Sequence, residues 1–319
     1  MAYLDLRGFL DDLGGDLIRV AAPLSPRFEV AALLAEVQAS GRAVICENIN
    51  GYPGRRIVGN MLASRRLAAR ALGTTEGRLV ETYVERSARR VPPVPAKDAP
   101  VQAVVHRQPA DVGALLPLLT HYEKDAAPFL TCGMVLARDP ATGQRGMGIH
   151  RMMYKGGNRF GILLANPPLS QFLANAEASG KPLDVAVALG VDPAMLIAAV
   201  VKTGPLGPDK MDIAGSLRGA PVELVRGLTV DLEVPARAEV PEYAELRRRV
   251  EELVGRINGE FGEADWVPVR YLYRSYPPAV LAPLYRLAAV GMVTPLRDGM
   301  NLVAKEFVAA QRDDDPGVL

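Results

Sequence analysis

The sequence predicts a mixed α/β (α+β) chain in three parts, on three observations. Helix-period and strand-like segments alternate through the first third, short strands parted by tight turns follow from Phe129, and a second alternation of helix and strand begins after Pro241. The expected parts are an N-terminal α/β region over 1–115, an antiparallel, barrel-like meander over 116–236 and an incomplete parallel-sheet piece over 237–319.

In the first part Leu6, Phe9, Leu10 and Leu13 recur at helical spacing ahead of Gly14-Gly15, which predicts a short amphipathic helix and then a strand over Leu17–Val20. A helix over Glu29–Ala39, a buried strand over Ala43–Glu47, a turn at Gly51-Tyr52-Pro53-Gly54 and a helix over Ser64–Leu72 follow. Residues 88–114 carry Pro92, Pro93, Pro95 and Pro100 with little apolar periodicity, and read as a linker or extended crossover.

The second part sets strands at Leu130–Ala137, Gly148–Tyr154 and Phe160–Ala165 around the turns Asp139–Gly143 and Gly156-Gly157-Asn158. A helix over Ser170–Ala178 leads to a strand over Asp184–Leu189, and Asp192-Pro193 caps a helix running to Val201. Short strands at Val222–Val225 and Thr229–Val234 close the region. In the third part Tyr243, Leu246, Val250, Leu253, Val254 and Ile257 mark one face of a helix. A strand over Val267–Tyr273, a helix over Pro278–Ala288 with Pro283 inside it, a strand over Val290–Thr294 and a helix over Met300–Ala310 complete the reading. Two strands cannot close a core, so this part is expected to be a fragment of a lobe.

Bulk properties narrow the function classes. At 49% apolar and 23% charged residues the chain sits at the globular average, and a net charge of +1 gives no field that would favour nucleic acid or an anionic membrane. The N-terminus has acids where a secretory signal needs basic residues, and no apolar stretch approaches a bilayer span, so a cytoplasmic protein without a membrane partner is expected. Cys46 and Cys132 lie in apolar surroundings and are expected as reduced core thiols. Three histidines and no HExxH spacing argue against a zinc site.

Specific words carry a resemblance. LRGFLDDL, THYEKDAAPFLTCGMVLARDPATG, GIHRMM, GKPLDVAVALGVDPAMLIAAV, IAGSLRGAPVELV and DLEVPARAE stand in the order seen in the UbiD family of decarboxylases, which residues 1 to about 236 resemble. The resemblance implies a split-barrel flavin-binding domain, prenylated FMN as cofactor and a small carboxylic acid as substrate. It places Ile149, His150 and Arg151 along the cofactor with Leu163, Leu164 and Ala165, and sets Arg151 between cofactor and substrate carboxylate. A cation there would orient the carboxylate while the cofactor takes up the electron pair. His150 stands where relatives often have tyrosine, and can be a hydrogen-bonded structural group or a proton carrier. Glu239 matches the first of two catalytic acids, and the second falls on Tyr243.

Other positions depart from the family. Gly146 stands where a metal-binding asparagine is expected and Lys210 where a metal-binding glutamate is expected, so the divalent metal site is expected to be lost. Lys210 is then either a fixed counter-charge for the flavin phosphate or a solvated loop lysine. His121, Tyr122, Glu123 and Asp125 match a polar segment ahead of the flavin-binding strands.

From Val234 to Leu319 the chain resembles a second family, the trehalose-6-phosphate synthases, in VPEYAELRRRVEELVGRINGEFG, DWVPVRYLYRSYPP and above all VTPLRDGMNLVAKEFVAAQ with DDPGVL. This implies a partial Rossmann-like glycosyltransferase lobe that binds UDP-glucose. Asp298, Gly299, Met300 and Asn301 would lie near the sugar, Leu302, Val303 and Glu306 at the nucleotide, and Tyr276 near the base. The acceptor lobe and the upstream arginine–lysine pair of that family are missing ahead of residue 234. Three functions therefore stand side by side: a UbiD-type carboxy-lyase with impaired or no turnover, a sugar-nucleotide-binding fragment, and a non-catalytic fusion product.

Overall fold

Capping side chains decide where several helices begin. Asp5 accepts the Gly8 N–H at 2.9 Å and opens α1 (Leu6–Asp12). Ser64 accepts from Leu67 at 3.3 Å and opens α3 (Arg65–Ala71). The computed structural model describes residues 3, 5–106, 111–203, 207–238, 253–263, 265–270, 278–290, 307–311 and 318. The chain forms two compact units, Met1–Arg247 and Arg248–Leu319.

In the first unit β1 (Leu17–Val20) and β2 (Ala43–Cys46) run parallel, joined through the crossover helix α2 (Glu29–Gln38), and β3 (Ile57–Gly59) adds antiparallel to β2. Phe9, Leu13, Ala43, Ile45 and Leu67 bury the side of this sheet that faces α1 and α3. Gly59 lets α2 lie close, since a Cβ there would run into the Leu34 side chain.

A strap then crosses the unit. After α4 (Leu79–Ser87), β4 (Val94–Pro95) pairs in parallel with β9 (Glu223–Arg226), which pairs antiparallel with β10 (Glu233–Pro235). The proline-rich segment is thus an extended crossover with a short strand of its own.

The largest sheet is antiparallel, in the order β7-β6-β5-β8. Its strands are β5 (Phe129–Arg138), β6 (Arg145–Tyr154), β7 (Phe160–Ile162) and β8 (Val185–Ala188). Met134, Leu136 and Met147 pack on α6 (Pro193–Ala199) and α7 (Lys210–Arg218), while Val135 and Ala137 pack on Leu169 and Phe172 of α5 (Leu169–Ala178). The cap foreseen at Asp192 is present: its carboxylate accepts from Ala194 and Met195, with Pro193 at the first helical position.

Several expectations are corrected. The strand foreseen to Ala165 stops at Ile162, because the Leu163 carbonyl is taken by the His150 side chain instead of a ladder partner. The strand foreseen from Thr229 begins at Glu233, because Gly227 N–H bonds to Leu232 O at 2.7 Å and closes the intervening residues into a turn. The helix foreseen to Val201 ends at Ala199. Cys46 is a buried thiol as expected, but Cys132 is exposed, at an irregularity of β5.

In the second unit residues 253–261 are helical, as is Pro278–Leu287, which carries Pro283 inside it. Residues 267–270 form no strand: the Asn258 side chain closes on the Val269 peptide, donating to its carbonyl and accepting from its N–H, both at 2.9 Å. Residues 307–310 are helical, and Val290 bridges Val318 in parallel. The rest of the expected strands and last helix lies outside the described residues. Among the described residues no helix is long and apolar enough to cross a membrane.

Candidate functional site

The β5–β6 hairpin positions the candidate residues. Register runs regularly from Arg138↔Arg145 to Gly133↔His150, then shifts, so that Thr131 and Cys132 together oppose Arg151 before Leu130 meets Met152. Such an irregularity turns side chains away from the ladder, and both bulged residues are exposed. Arg151 is exposed too, with its guanidinium carbon 5.6 Å from the Phe129 ring centroid, within cation–π reach. Nearby, the backbone N–H groups of His121 and Tyr122 hold the Asp125 carboxyl below the usual carboxylate range, with Arg151 adding a smaller attraction.

Phe129, Leu130, Thr131 and Cys132 also form one wall of a cleft of about 310 Å³, whose other walls include Leu6, Leu10, Ile45 and Leu118. Its rim carries Arg7, Arg19, Arg55 and Arg56. The volume suits a small molecule. Arg151 meets this cleft through Phe129 and does not line it; nor do Ile149, His150, Leu163, Leu164, Ala165 or Lys210.

Those residues gather on the other stretch of β6 and its neighbours. His150 Nδ1 lies 3.1 Å from Leu163 O, and a carbonyl only accepts, so Nδ1 carries the proton and Nε2 keeps its lone pair. Burial pushes the imidazole below its usual 6.5, opposed by that hydrogen bond, and the Lys210 charge lowers it further. The neutral ring therefore prevails, which favours the structural reading of His150. Leu163 is 78% exposed and Ile162 40%, leaving apolar surface at the sheet edge, while Leu164 packs inward beside Leu169 and Phe172. Ile149 is half-buried against the α6–α7 core.

Lys210 differs most from expectation. It is 5% exposed, in the first turn of α7, and its ammonium donates to Met147 O at 3.0 Å and Ala199 O at 2.9 Å. The solvated-loop reading is overturned: β6, the end of α6 and the start of α7 close around the side chain. Arg145 fixes this junction from outside, bonding Asp209 at 2.7 Å and Glu233 at 2.9 Å, and Asp209 caps α7 through the Met211 N–H. Sequence reasoning missed the burial; its one available signal was Asp209 as a helix cap, which makes residue 210 helical.

Among the described residues no three His, Cys, Asp or Glu side chains come together. A Cβ on Gly146 would stand 2.5 Å from Phe172 and 2.8 Å from Pro168, so the expected asparagine has no room. Glu239, Tyr276, Asp298, Gly299, Met300, Asn301, Leu302, Val303 and Glu306 lie outside the described residues.

This mixed α/β frame carries a cleft of small-molecule size, and comparison with known proteins gives the lineage. The UbiD N-terminal domain matches residues 12–87, and the 3-octaprenyl-4-hydroxybenzoate carboxy-lyase Rift-related domain matches 93–265. The chain belongs to the UbiD carboxy-lyase family. Anhydromevalonate phosphate decarboxylase of Methanothermobacter thermautotrophicus is 32% identical over 232 residues, 72% of this chain and 52% of that protein. An evolved dimeric form of the UbiD-class enzyme HmfF from Pelotomaculum thermopropionicum, solved with prFMN, superposes with a TM-score of 0.70 at 36% identity, over 74% of this chain and 56% of that one. The chain thus spans about half the length of these relatives. Glycosyltransferase family 20 matches residues 225–319, and trehalose-6-phosphate synthase of Sinorhizobium fredii is 59% identical over 96 residues, 30% of this chain and 21% of the synthase.

Proposed function

We propose that the first unit carries a carboxy-lyase site for the non-oxidative decarboxylation of an unsaturated or aromatic acid with prenylated FMN, the four-stranded sheet being the core of a split barrel. The observation that carries this reading is Arg151 set exposed beside the Phe129 ring opposite the bulge, in a chain whose relatives include decarboxylases. In the reaction the bond between substrate carbon and carboxylate breaks, the electron pair stays on carbon, carbon dioxide leaves and a proton is added. The bound flavin would supply the sink for that pair. Arg151 would orient the carboxylate through paired N–H donors. Neutral His150 would hold the Leu163 loop, where Ile162 and Leu163 offer apolar surface to a flat ring. Glu239 is assigned the protonating acid. Turnover is expected to be weak, because the second acid of the family's pair is Tyr243 here.

The test uses the full chain loaded with prenylated FMN and a panel of aromatic and α,β-unsaturated acids, following carbon dioxide release. Release that Arg151→Ala abolishes supports the assignment; a loaded protein inert toward the whole panel supports the non-catalytic reading. For the tail, the 59% identity over 96 residues favours sugar-nucleotide binding, with UDP-glucose as the ligand. Thermal stabilisation by UDP-glucose and not by glucose would bear this out, and no shift with either would remove it.

A further inference from the structure

The cleft of about 310 Å³ beside β5 lies apart from Arg151 and from the residues placed along the flavin, none of which lines it. Both of its walls belong to the first unit. On one side Arg19, Ile45 and Val58 are register partners, so they stand in a row across β1, β2 and β3 on one face of that sheet. Leu6 and Leu10 of α1 continue the apolar part of this wall. The other wall is formed by residues 116–119, 129–132 and 189–191, most of them apolar.

The charges on the lining are mostly of one sign. Arg7, Arg19, Arg55 and Arg56 face a single carboxylate, Asp11. Glu47 bonds Arg19 at 2.8 Å and offsets one of the four from outside the cleft. A positive excess remains, in a chain whose total charge is only +1. Arg7, Arg55 and Arg56 are half-buried, and a guanidinium partly withdrawn from water beside an apolar wall attracts an anion more strongly than one in bulk solvent. The walls disfavour a sugar, the arginines disfavour a cation, and the volume is at the small end of ligand pockets.

We propose that this cleft binds a small apolar carboxylate, with its hydrocarbon body between the two walls and its carboxylate at the arginines. The site is not where a bond breaks, and it stands whether or not the first unit holds a flavin.

Cys132 supplies a local reporter, since its thiol is exposed on the cleft wall while Cys46 is buried. The full chain is titrated calorimetrically with octanoate and with octanol, which has the same tail without the charge. Alkylation of each cysteine by iodoacetamide is followed by mass spectrometry. Octanoate should bind at least about tenfold more tightly than octanol and should slow Cys132 alkylation at least about fivefold at saturation. Arg56→Gln should weaken octanoate at least about threefold, and Arg55→Gln combined with it should bring octanoate down to the affinity of octanol, which stays unchanged. Thr131→Trp, at an exposed wall position, fills the cleft without emptying packed space and should remove binding of both. Far-UV circular dichroism checks that each variant folds. Octanol binding as tightly as octanoate would overturn the proposal, as would octanoate binding that leaves Cys132 equally reactive, a double variant that keeps the wild-type preference, or a wild type that takes up neither probe.

Discussion

The two ends of the β5–β6 hairpin contrast. At the turn end, Gly133–Ala137 are buried without interruption, and Asp139 ties the turn by accepting from Ala141, Thr142 and Asn175, bonds that together hold its carboxyl below the usual range against the cost of burial. Gly146 and Gly148 there have no side chains, which lets Phe172, Pro168 and Leu169 sit against the strand. At the open end the register slips, Thr131 and Cys132 are exposed, and Arg151 stands outward. One end is buried and closely packed, and the other is exposed. A hairpin can do both because the ladder bonds of the packed half hold the strand direction that the open half uses.

The contrast can be broken at either end. The largest effect is expected at the packed end: Phe172→Ala removes a ring that is 1% exposed and should cost about 3–5 kcal/mol, read as a loss of Tm and denaturation midpoint. At the open end Arg151→Ala should leave stability within about 0.5 kcal/mol. It should lower decarboxylation by about 10²–10³-fold, with Arg151→Lys recovering little, since an ammonium lacks the fork. A packed-end variant that lost turnover without losing stability would dissolve the contrast. Gly146→Asn, which restores the expected metal-ligand type, should destabilise by about 1–3 kcal/mol through overpacking and should not confer manganese binding. The smallest effect is a pH dependence at His150. Its folded pKa lies below 6.5, so between that value and 6.5 the unfolded chain takes up the proton first, and stability falls as pH drops through this window. Melts from pH 7 to 5 should show a steeper decline for the wild type than for His150→Gln, and an imidazole titrating above 6.5 by NMR would reverse the sign.

Local chemistry made much of this fold legible. The Asp192-Pro193 cap, the Asp139–Gly143 turn and the apolar run of β5 are encoded within a few neighbours, and α6 and β5 end within two residues of expectation. What was hidden depends on distant partners. Lys210 sits among turn-forming residues in sequence, and only Met147, sixty-three positions away, and Ala199 reveal its burial. The Val267–Tyr273 reading fails over its first four residues because one asparagine amide, eleven positions upstream, satisfies the Val269 peptide more directly than a strand partner would. At the candidate site the family words pointed to Arg151 and His150, but the slipped register beside the exposed Cys132 has no signature in β-favouring residues.

Gly215, in the middle of α7, has its backbone against the Val91 carbonyl of the strap, and any side chain there would collide with it. Val91 N–H also bonds Asp212 O at 3.2 Å, while Ser216 and the Arg86 side chain, which reaches Leu217 O, pin the next turn. The helix is keyed like a shaft in a collar: it cannot roll about its axis without lifting a segment more than a hundred residues earlier in the chain. Whatever rides on its first turn is therefore aimed by the N-terminal third of the protein, and a single methyl at position 215 would re-aim it.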